Sequence, residues 1–519
     1  MPLDVPAYAF ALPDGVDPPA LVSFLADRFD LATDQPATLG FTVLDTADRR
    51  LRAVDADLRL QRDRGGATLV LRTQAGAAPL TAEAGRHARW LAEDLPPGAL
   101  REHLAPLIEM RALLPLVRVQ AEVQPLQVRN ADLKTVVRLR LATQAALATD
   151  GDRVPLTPRL EVTGVLGYQR PLARVVTALT TEAGLVEAPG SLADEAIAAA
   201  GGDPEGIRSK VRVALRPDQR TDKAALAVLR DLAGMVEANL PGTLDDLDTE
   251  FLHDLRVAVR RSRSVLRELK GAFPPKQLEQ QREALKWIQS ITGPTRDLDV
   301  QLLDWDHLVS GVPAERHAAL APVRTLLGHH RAAALRSLQR ELRSPAYREA
   351  WASYREFLSG GLGPVRERPD AKRPIVEVAG GRIRKVYARM VDMGAAIDDS
   401  SPADDLHDLR KRGKELRYLL EFFGGLWPDD VVKPMVKTLK GLQDVLGLHQ
   451  DREVQADHLR ALADELASKV GGPEALLVLG VLVDQLDAEQ HAARDHFAER
   501  FAAFAADGQR KLVSRTFRP

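Results

Sequence analysis

His253, Arg256, Arg260, Arg263 and Arg267 follow one another at intervals of three and four residues. His407, Arg410, Lys414 and Arg417 repeat the first four positions, with lysine in place of one arginine. At about 100° per residue, the first five side chains share an arc of about 80° on one helix face. Leu252, Leu255, Ala258, Val259, Val265, Leu266 and Leu269 lie on the opposite side, as do Leu409, Leu416, Leu419, Leu420 and Phe423 of the second helix. A rigid line of guanidinium groups, each able to form paired hydrogen bonds, suits a polyanion. The alternative is an ordinary solvated face. Solvated faces usually mix signs to form i,i+4 pairs, whereas these hold only cations on their central line. Such like charges repel within about 15 Å, a cost offset when an anion neutralises them.

The histidines that open the two lines stand next to Asp254 and Asp408. Neither has a second histidine or carboxylate at ligand spacing, so no metal site and no cofactor are expected, and no catalytic residue is assigned. His329, His330 and His449 offer no better ligand set. A histidine on a cationic line donates a hydrogen bond to the anion or orients an arginine.

The elements that position these residues are duplicated. Shifting the chain by 154 positions places His253 on His407 and, without a gap, yields 15 identities in the 49 positions from 252 to 300. Roughly three or four are expected from average residue usage. The shift also pairs Lys286 with Lys440, which predicts that the next helix adds to the same surface. It pairs Arg230 with Arg384 one helix upstream, where they would extend it. Gly293–Pro294 and Gly447 read as turns, and Asp297 and Asp451 as helix caps or partners in inter-helix salt bridges.

The chain has 519 residues, a net charge of −2 and no cysteine. A polyanion partner must therefore be met by locally segregated charge, and disulfides, thiolate metal sites and cysteine nucleophiles are excluded. The amino terminus lacks the basic start and apolar core of a signal peptide, and the apolar stretch around 475–483 is too short to span a bilayer. A soluble, cytoplasmic protein without membrane contact is expected. Alternating runs at 67–72, 117–128 and 134–142 predict strands with one buried face. The expected class is α+β multidomain: a β domain over 1–185, a linker with one short helix over 186–214, and an all-helical region over 215–519. The break at 361–381 divides the helical region into halves at about 215–360 and 380–519.

LHDLRVAVRRSRSVL and LHDLRKRGKELRYLLEFF, each followed by LK-x-x-Q-x-x-x-G and an aspartate, resemble the conserved-histidine α-helical domain family, CHAD. The resemblance covers about 215–519. It implies two antiparallel four-helix bundles meeting around a basic groove or pore, binding long-chain inorganic polyphosphate and associated with polyphosphate granules. The residues it implies as ligands are His253, Arg256, Arg260, Arg261, Arg263 and Lys286, with His407, Arg410, Lys414, Arg417 and Lys440 in the second copy. Gly413 inside the second helix departs from a strong helix former. Residues 41–72 resemble the CYTH domain, the antiparallel β tunnel of triphosphate-processing metalloenzymes, through Asp45, Thr46, Leu51, Leu58, Arg59, Arg62 and Arg72. Where that family opens with E-x-E-x-K, this chain has Val5, Ala7 and Ala9. The missing glutamates are metal ligands in that family, so a binding protein rather than an enzyme is expected. A CYTH-type triphosphatase is one alternative. A nucleic-acid binder is another, but aromatics make up only 5% of the chain and only Tyr418 borders a stripe, which argues against it.

Overall fold

The computed structural model describes residues 8–13, 16–63, 66–73, 78–148, 151–360, 365–398 and 400–518. The chain divides into two compact units, Met1–Arg208 and Ser209–Pro519.

In the first unit the period-two alternation becomes an antiparallel sheet. Its strands are β1 (Tyr8–Ala11), β2 (Leu31–Thr33), β3 (Ala37–Thr46), β4 (Asp57–Asp63), β5 (Gly66–Arg72), β6 (Leu80–Glu83), β7 (Leu113–Arg129), β8 (Thr135–Leu147), β9 (Arg153–Pro155), β10 (Arg159–Gly164) and β11 (Val186–Glu187). They run in the order β11-β1-β10-β8-β7-β3-β4-β5-β6, with β2 on β7 and β9 on β8. Five ladder steps separate β10 from β5, which in a flat sheet would be about 24 Å. Yet Arg72 on β5 lies 3.8 Å from Glu161 on β10. The sheet therefore curls until its distant strands meet across an interior. Helices α1 (Pro18–Ala26), α2 (Ala99–Ile108), α3 (Gln169–Thr177) and α4 (Leu192–Ala199) accompany it.

The expected linker over 186–214 belongs largely to this unit. Val186 and Glu187 pair with β1. Ser191 caps α4 by accepting from the Asp194 amide at 3.0 Å. Leu192, Ala196 and Ile197 then pack on Phe41, Val43, Val117 and Val119. The short helix expected in this segment is therefore α4, and these three residues form a helical stripe that the sheet buries.

The second unit is all helical. Helices α5 (Thr221–Leu244), α6 (Thr249–Glu268), α7 (Pro275–Ile291), α8 (Gly293–Leu303), α9 (Trp305–Ser310), α10 (Ala321–Arg343) and α11 (Pro345–Ser359) form the first half. The second half comprises α12 (Ile375–Ala395), α13 (Ala403–Phe423), α14 (Asp429–Ala461), α15 (Ala463–Ala467), α16 (Gly472–Asp495), α17 (Phe497–Phe504) and α18 (Asp507–Thr516). The 154 shift carries α5, α6, α7–α8 and α10 onto α12, α13, α14 and α16, so each half has four main helical positions with trailing helices. The two halves bond reciprocally at that shift. The Thr221 amide donates to the Arg373 carbonyl at 3.0 Å and the Ile375 amide to Gln219 at 2.8 Å; Asp222 to Ala371 and Val376 to Pro217 repeat the pattern. Such reciprocity is the signature of a pseudo-two-fold axis.

One feature differs from the sequence reading. Gly293 starts a new helix after the break at Thr292, but Gly447 lies inside the continuous helix α14. A lone glycine costs a helix only about 1 kcal/mol, which the packing around α14 outweighs. The two halves share their cores: Leu255, Leu266, Leu409 and Leu416 belong to one cluster of buried residues from both copies, and a second cluster joins Trp305, Leu308 and Leu326 of the first half to Leu459, Leu479 and Leu482 of the second.

That shared core predicts the response to truncation. Leu255→Ala and Leu409→Ala each remove a fully buried side chain at equivalent positions. Each should destabilise the helical unit by about 2–5 kcal/mol in urea unfolding followed by helix signal. Both should move the same transition; a variant that shifts a separate step from its counterpart's contradicts a single core.

Candidate anion-binding clefts

Helix α6 starts where the Asp248 carboxylate accepts from the amides of Glu250 and Phe251. Helix α13 follows Pro402 and carries Asp404 and Asp405 in its first turn, where carboxylates complement the helix dipole. Both helices bury the apolar arcs named above. Their cationic faces consequently turn outward, and the pseudo-two-fold axis brings them together. Gly413 sits where α13 approaches α14: an added Cβ would stand 3.3 Å from the Gln443 amide nitrogen.

Three clefts lie along the junction. The largest, about 570 Å³, is lined by Arg260, Arg263, Arg267, Arg282 and Lys286 opposite Lys411, Arg412 and Lys414. A second, about 420 Å³, has His253, Arg260 and Arg261 opposite Arg410, Lys414, Arg417 and Tyr418. They are symmetry mates. Adding 154 to Arg260, Arg263 and Ser264 of the first gives Lys414, Arg417 and Tyr418 of the second, and Asp254, Val257, Arg260 and Arg261 of the second return Asp408, Lys411, Lys414 and Glu415 of the first. The third cleft, about 400 Å³, maps onto itself through His253 and His407, Arg256 and Arg410, Asp297 and Asp451, and Val300 and Val454. Arg260 and Lys414 line both flanking clefts, which places the axis close to that pair.

The cations differ in their engagement. Arg256 donates to the Gln289 carbonyl at 3.0 Å and the Thr292 hydroxyl at 2.9 Å, closing the end of α7. Burial, with Arg260 and Arg296 nearby, lowers its pKa against the pull of Asp297. Arg260 donates to the Tyr418 hydroxyl at 2.7 Å. Arg261 reaches Glu421 at 2.8 Å and the Ser209 carbonyl at 2.7 Å. Glu421 also pairs with Arg417 at 2.7 Å, and Arg410 pairs with Asp451 at 2.7 Å. Asp451 is thus in an inter-helix salt bridge, one of its two expected roles. The His407 ring bonds the Gln450 side chain. Lys286 is exposed, 3.5 Å from Glu283.

Arg263 and Lys414 have neither a hydrogen bond nor an ion pair among the described residues. Burial, chiefly, and Arg267 hold the Arg263 pKa down. Burial, then Arg410 and Arg260, push Lys414 down to about 8. An ammonium held against two arginines in a half-buried cleft is stabilised by whatever anion enters it.

Lys440 is exposed on α14 and lines none of these clefts. Arg230 donates to the Leu358 carbonyl at 2.9 Å, at the end of α11, and Arg384 lies on a face of α12 away from the clefts. The 154 shift paired these residues correctly, but a matched pair can be structural. Arg282, Arg389, Lys411 and Arg412 line the largest cleft without having been singled out. Arg282 lies one turn before Lys286, a spacing that could have identified it.

In the first unit the curled sheet encloses a second charged cluster. Arg59 donates to Asp57 at 2.8 Å and stacks 4.4 Å from the Phe41 ring centre. Arg140 reaches Glu161 at 3.1 Å. Burial and Arg59 push Arg72 down to about 10, and its Nε and one terminal nitrogen have no hydrogen-bond partner among the described residues. Arg62 points to solvent. Asp45 instead organises a turn by accepting from the amides of Thr46, Leu51 and Arg52. Val5 and Ala7 lie outside the described residues; Ala9 pairs with Glu161 across β1 and β10. No group of three or more histidine, aspartate or glutamate side chains among the described residues is placed to hold a metal.

Residues 227–460 match the CHAD domain family. The helical unit contains a CHAD domain. An uncharacterized protein of Mycobacterium tuberculosis, found in two strains, is 29% identical over 246 residues, which are 46% of this chain and 44% of the relative. The chain thus spans less than half the length of the curated relatives it matches. Among solved structures, a CHAD domain from the plant Ricinus communis is 22% identical, with a TM-score of 0.44, covering 60% of this chain and 97% of that one. PptA from Streptomyces chartreusis is 20% identical, with a TM-score of 0.44, covering 55% and 99%. A putative adenylate cyclase from Bacillus halodurans is 13% identical, with a TM-score of 0.27, covering 37% and 97%. No described helix is long and apolar enough to cross a membrane.

The environment of Lys414 predicts opposite effects on stability and binding. Lys414→Met should raise the melting temperature of the unliganded protein at pH 7, because the penalised charge is gone. The folded pKa lies below the unfolded value, so the wild type regains stability as pH rises from about 8 towards 10.5. The advantage of the variant should therefore shrink between pH 7 and pH 10 in thermal melts. A variant that melts lower at pH 7 contradicts the assignment.

Proposed function

We propose that this protein binds inorganic polyphosphate in the clefts between α6 and α13 of its CHAD domain. The observation that carries the reading is the convergence of two cationic helix faces on shared clefts, with Arg260 and Lys414 lining both flanks. Each helix offers a cation about every 5 Å along its axis, alternating i,i+3 and i,i+4. A densely charged flexible chain satisfies such a line better than a compact anion. The ligands proposed from the first copy are His253, Arg256, Arg260, Arg261, Arg263 and Lys286. The second copy offers His407, Arg410, Lys414 and Arg417. Tyr418 is 6% exposed, so it presents no face on which a base could stack, which disfavours single-stranded nucleic acid. Residence at polyphosphate granules in the cytoplasm follows from this reading.

The test is titration of the full-length protein with long-chain polyphosphate, tripolyphosphate and single-stranded RNA at several salt concentrations. Each phosphate contact adds roughly 0.7–0.9 to the slope of log affinity against log salt. Replacing Arg263, Lys286 and Lys414 together should flatten the slope for long polyphosphate by roughly two to three and weaken binding at every salt concentration. Equal affinity for RNA, or a triple variant with unchanged slope, refutes the reading.

We also propose that the first unit binds without hydrolysing. With Mg²⁺ or Mn²⁺, phosphate release from tripolyphosphate or ATP should stay at background, because Val5 and Ala7 stand where the metal-binding glutamates would be and Ala9 where the lysine would be. Metal-dependent release well above that of an Arg59→Ala/Arg72→Ala control would favour a triphosphatase instead.

A further inference from the structure

The two helical halves are not equally open. A fourth cleft, about 340 Å³, lies beside the largest one and shares Arg267, Arg282, Arg389 and Arg412 with it. Arg382, Lys385 and Lys270 complete its cationic lining. Its only acids are Glu268 and Glu415, and both are already neutralised. Glu268 accepts from Arg382 at 2.6 Å and from Arg267 at 2.8 Å; Glu415 pairs with Arg412 at 2.8 Å and Arg267 at 3.1 Å. Lys270, Lys385 and Arg389 are exposed and have no ion-pair partner among the described residues.

Arg382, Lys385 and Arg389 stand at i, i+3 and i+7 on one face of α12. Their equivalents in the first half, 154 positions earlier, are Val228, Asp231 and Met235, and the Val228 and Met235 side chains are buried. The first half thus fills this position with core residues, whereas the second leaves a furrow walled by cations. Duplication alone would have made the two sides alike. Unpaired like charges in one cleft repel, and no structural partner offsets that here.

We propose that this furrow is a second, one-sided polyanion subsite. It takes the overhanging phosphates of a chain already seated between α6 and α13, and leads the chain out across α12. The proposal rests on the polyphosphate reading of the neighbouring clefts. It implies that a chain occupying the symmetric clefts extends further on one side than on the other, so that affinity depends on chain length.

The test uses full-length protein carrying Lys270→Ala and Lys385→Ala, both exposed, without an ion-pair partner among the described residues, and lining the furrow but not the largest cleft. Tripolyphosphate, polyphosphate of graded lengths and polyphosphate of about 100 residues serve as probes. A control replaces Lys223 and Lys437, exposed lysines outside the clefts. Removing two contacts should lower the salt slope for the longest chain by about 1.5–2 and its affinity about tenfold or more. Tripolyphosphate affinity should stay within twofold. The affinity of the double variant should level off at a shorter chain length than that of the wild type, and the control should behave as wild type. Unchanged affinity and slope for the longest chain overturn the subsite. Equal loss for tripolyphosphate and long chains overturns the overhang, because the furrow would then be part of the primary site. If the wild type binds none of the probes, the polyphosphate reading itself fails and takes this proposal with it.

Discussion

Like-charge repulsion between Arg260 and Lys414, brought together across the pseudo-two-fold axis, is the constraint on which the helical unit turns. Their helices bury leucines on the far side, so the fold cannot rotate these cations apart without exposing core. The neighbouring groups reduce the penalty without abolishing it. Tyr418 accepts from Arg260, Asp451 pairs with Arg410, and Glu421 bridges Arg261 and Arg417. Lys414 has no such partner among the described residues, and burial together with two arginines pushes it down to about 8. A purely structural surface would be stabilised by one more carboxylate at this point. The residual positive charge is what an anion of the proposed kind would neutralise.

The shared core fixes the geometry of that charge. In two separable bundles the cationic faces could move with each bundle, and the spacing between them would be soft. Here Leu255 and Leu409 belong to one core, and reciprocal backbone bonds between the starts of α5 and α12 tie the halves. The clefts are therefore set before any ligand arrives, which lowers the ordering entropy that binding must overcome.

Much of this arrangement was legible in the residue pattern, for identifiable reasons. A 3.6-residue period locates a cationic stripe because the apolar arc opposite must face the core, and the observed burial of Leu252, Leu255, Leu416 and Leu420 follows that rule. The 154 shift brought out positions that both copies share. By construction it could not reveal what only one copy has, so Arg382, Lys385 and Arg389 on α12 passed unnoticed. Nor does a matched pair disclose its purpose: Arg230 closes the end of α11, and Arg256 closes the end of α7 while also lining the axial cleft. Which carbonyls need a donor depends on where helices end in space. In the first unit, composition announced the short helix α4 but not its packing, because alanines and glycines suggest a linker until a sheet is present for them to cover.

The symmetry of the clefts bears on the kind of ligand they suit. A nucleic-acid strand has a direction, and reversing it moves its sugars and bases relative to its phosphates. A site whose two flanks present equivalent cations, Arg260 and Arg263 on one side and Lys414 and Arg417 on the other, gains nothing from such polarity. A linear phosphate chain reads the same from either end, so under the proposed function each half of the chain would meet an equivalent set of donors. Duplication of a whole helical half is thus a short route to clefts whose two flanks match. Two copies related by a two-fold axis align their cationic lines without any further change in sequence. Divergence of one copy afterwards, as on α12, is the step that can add a preferred side.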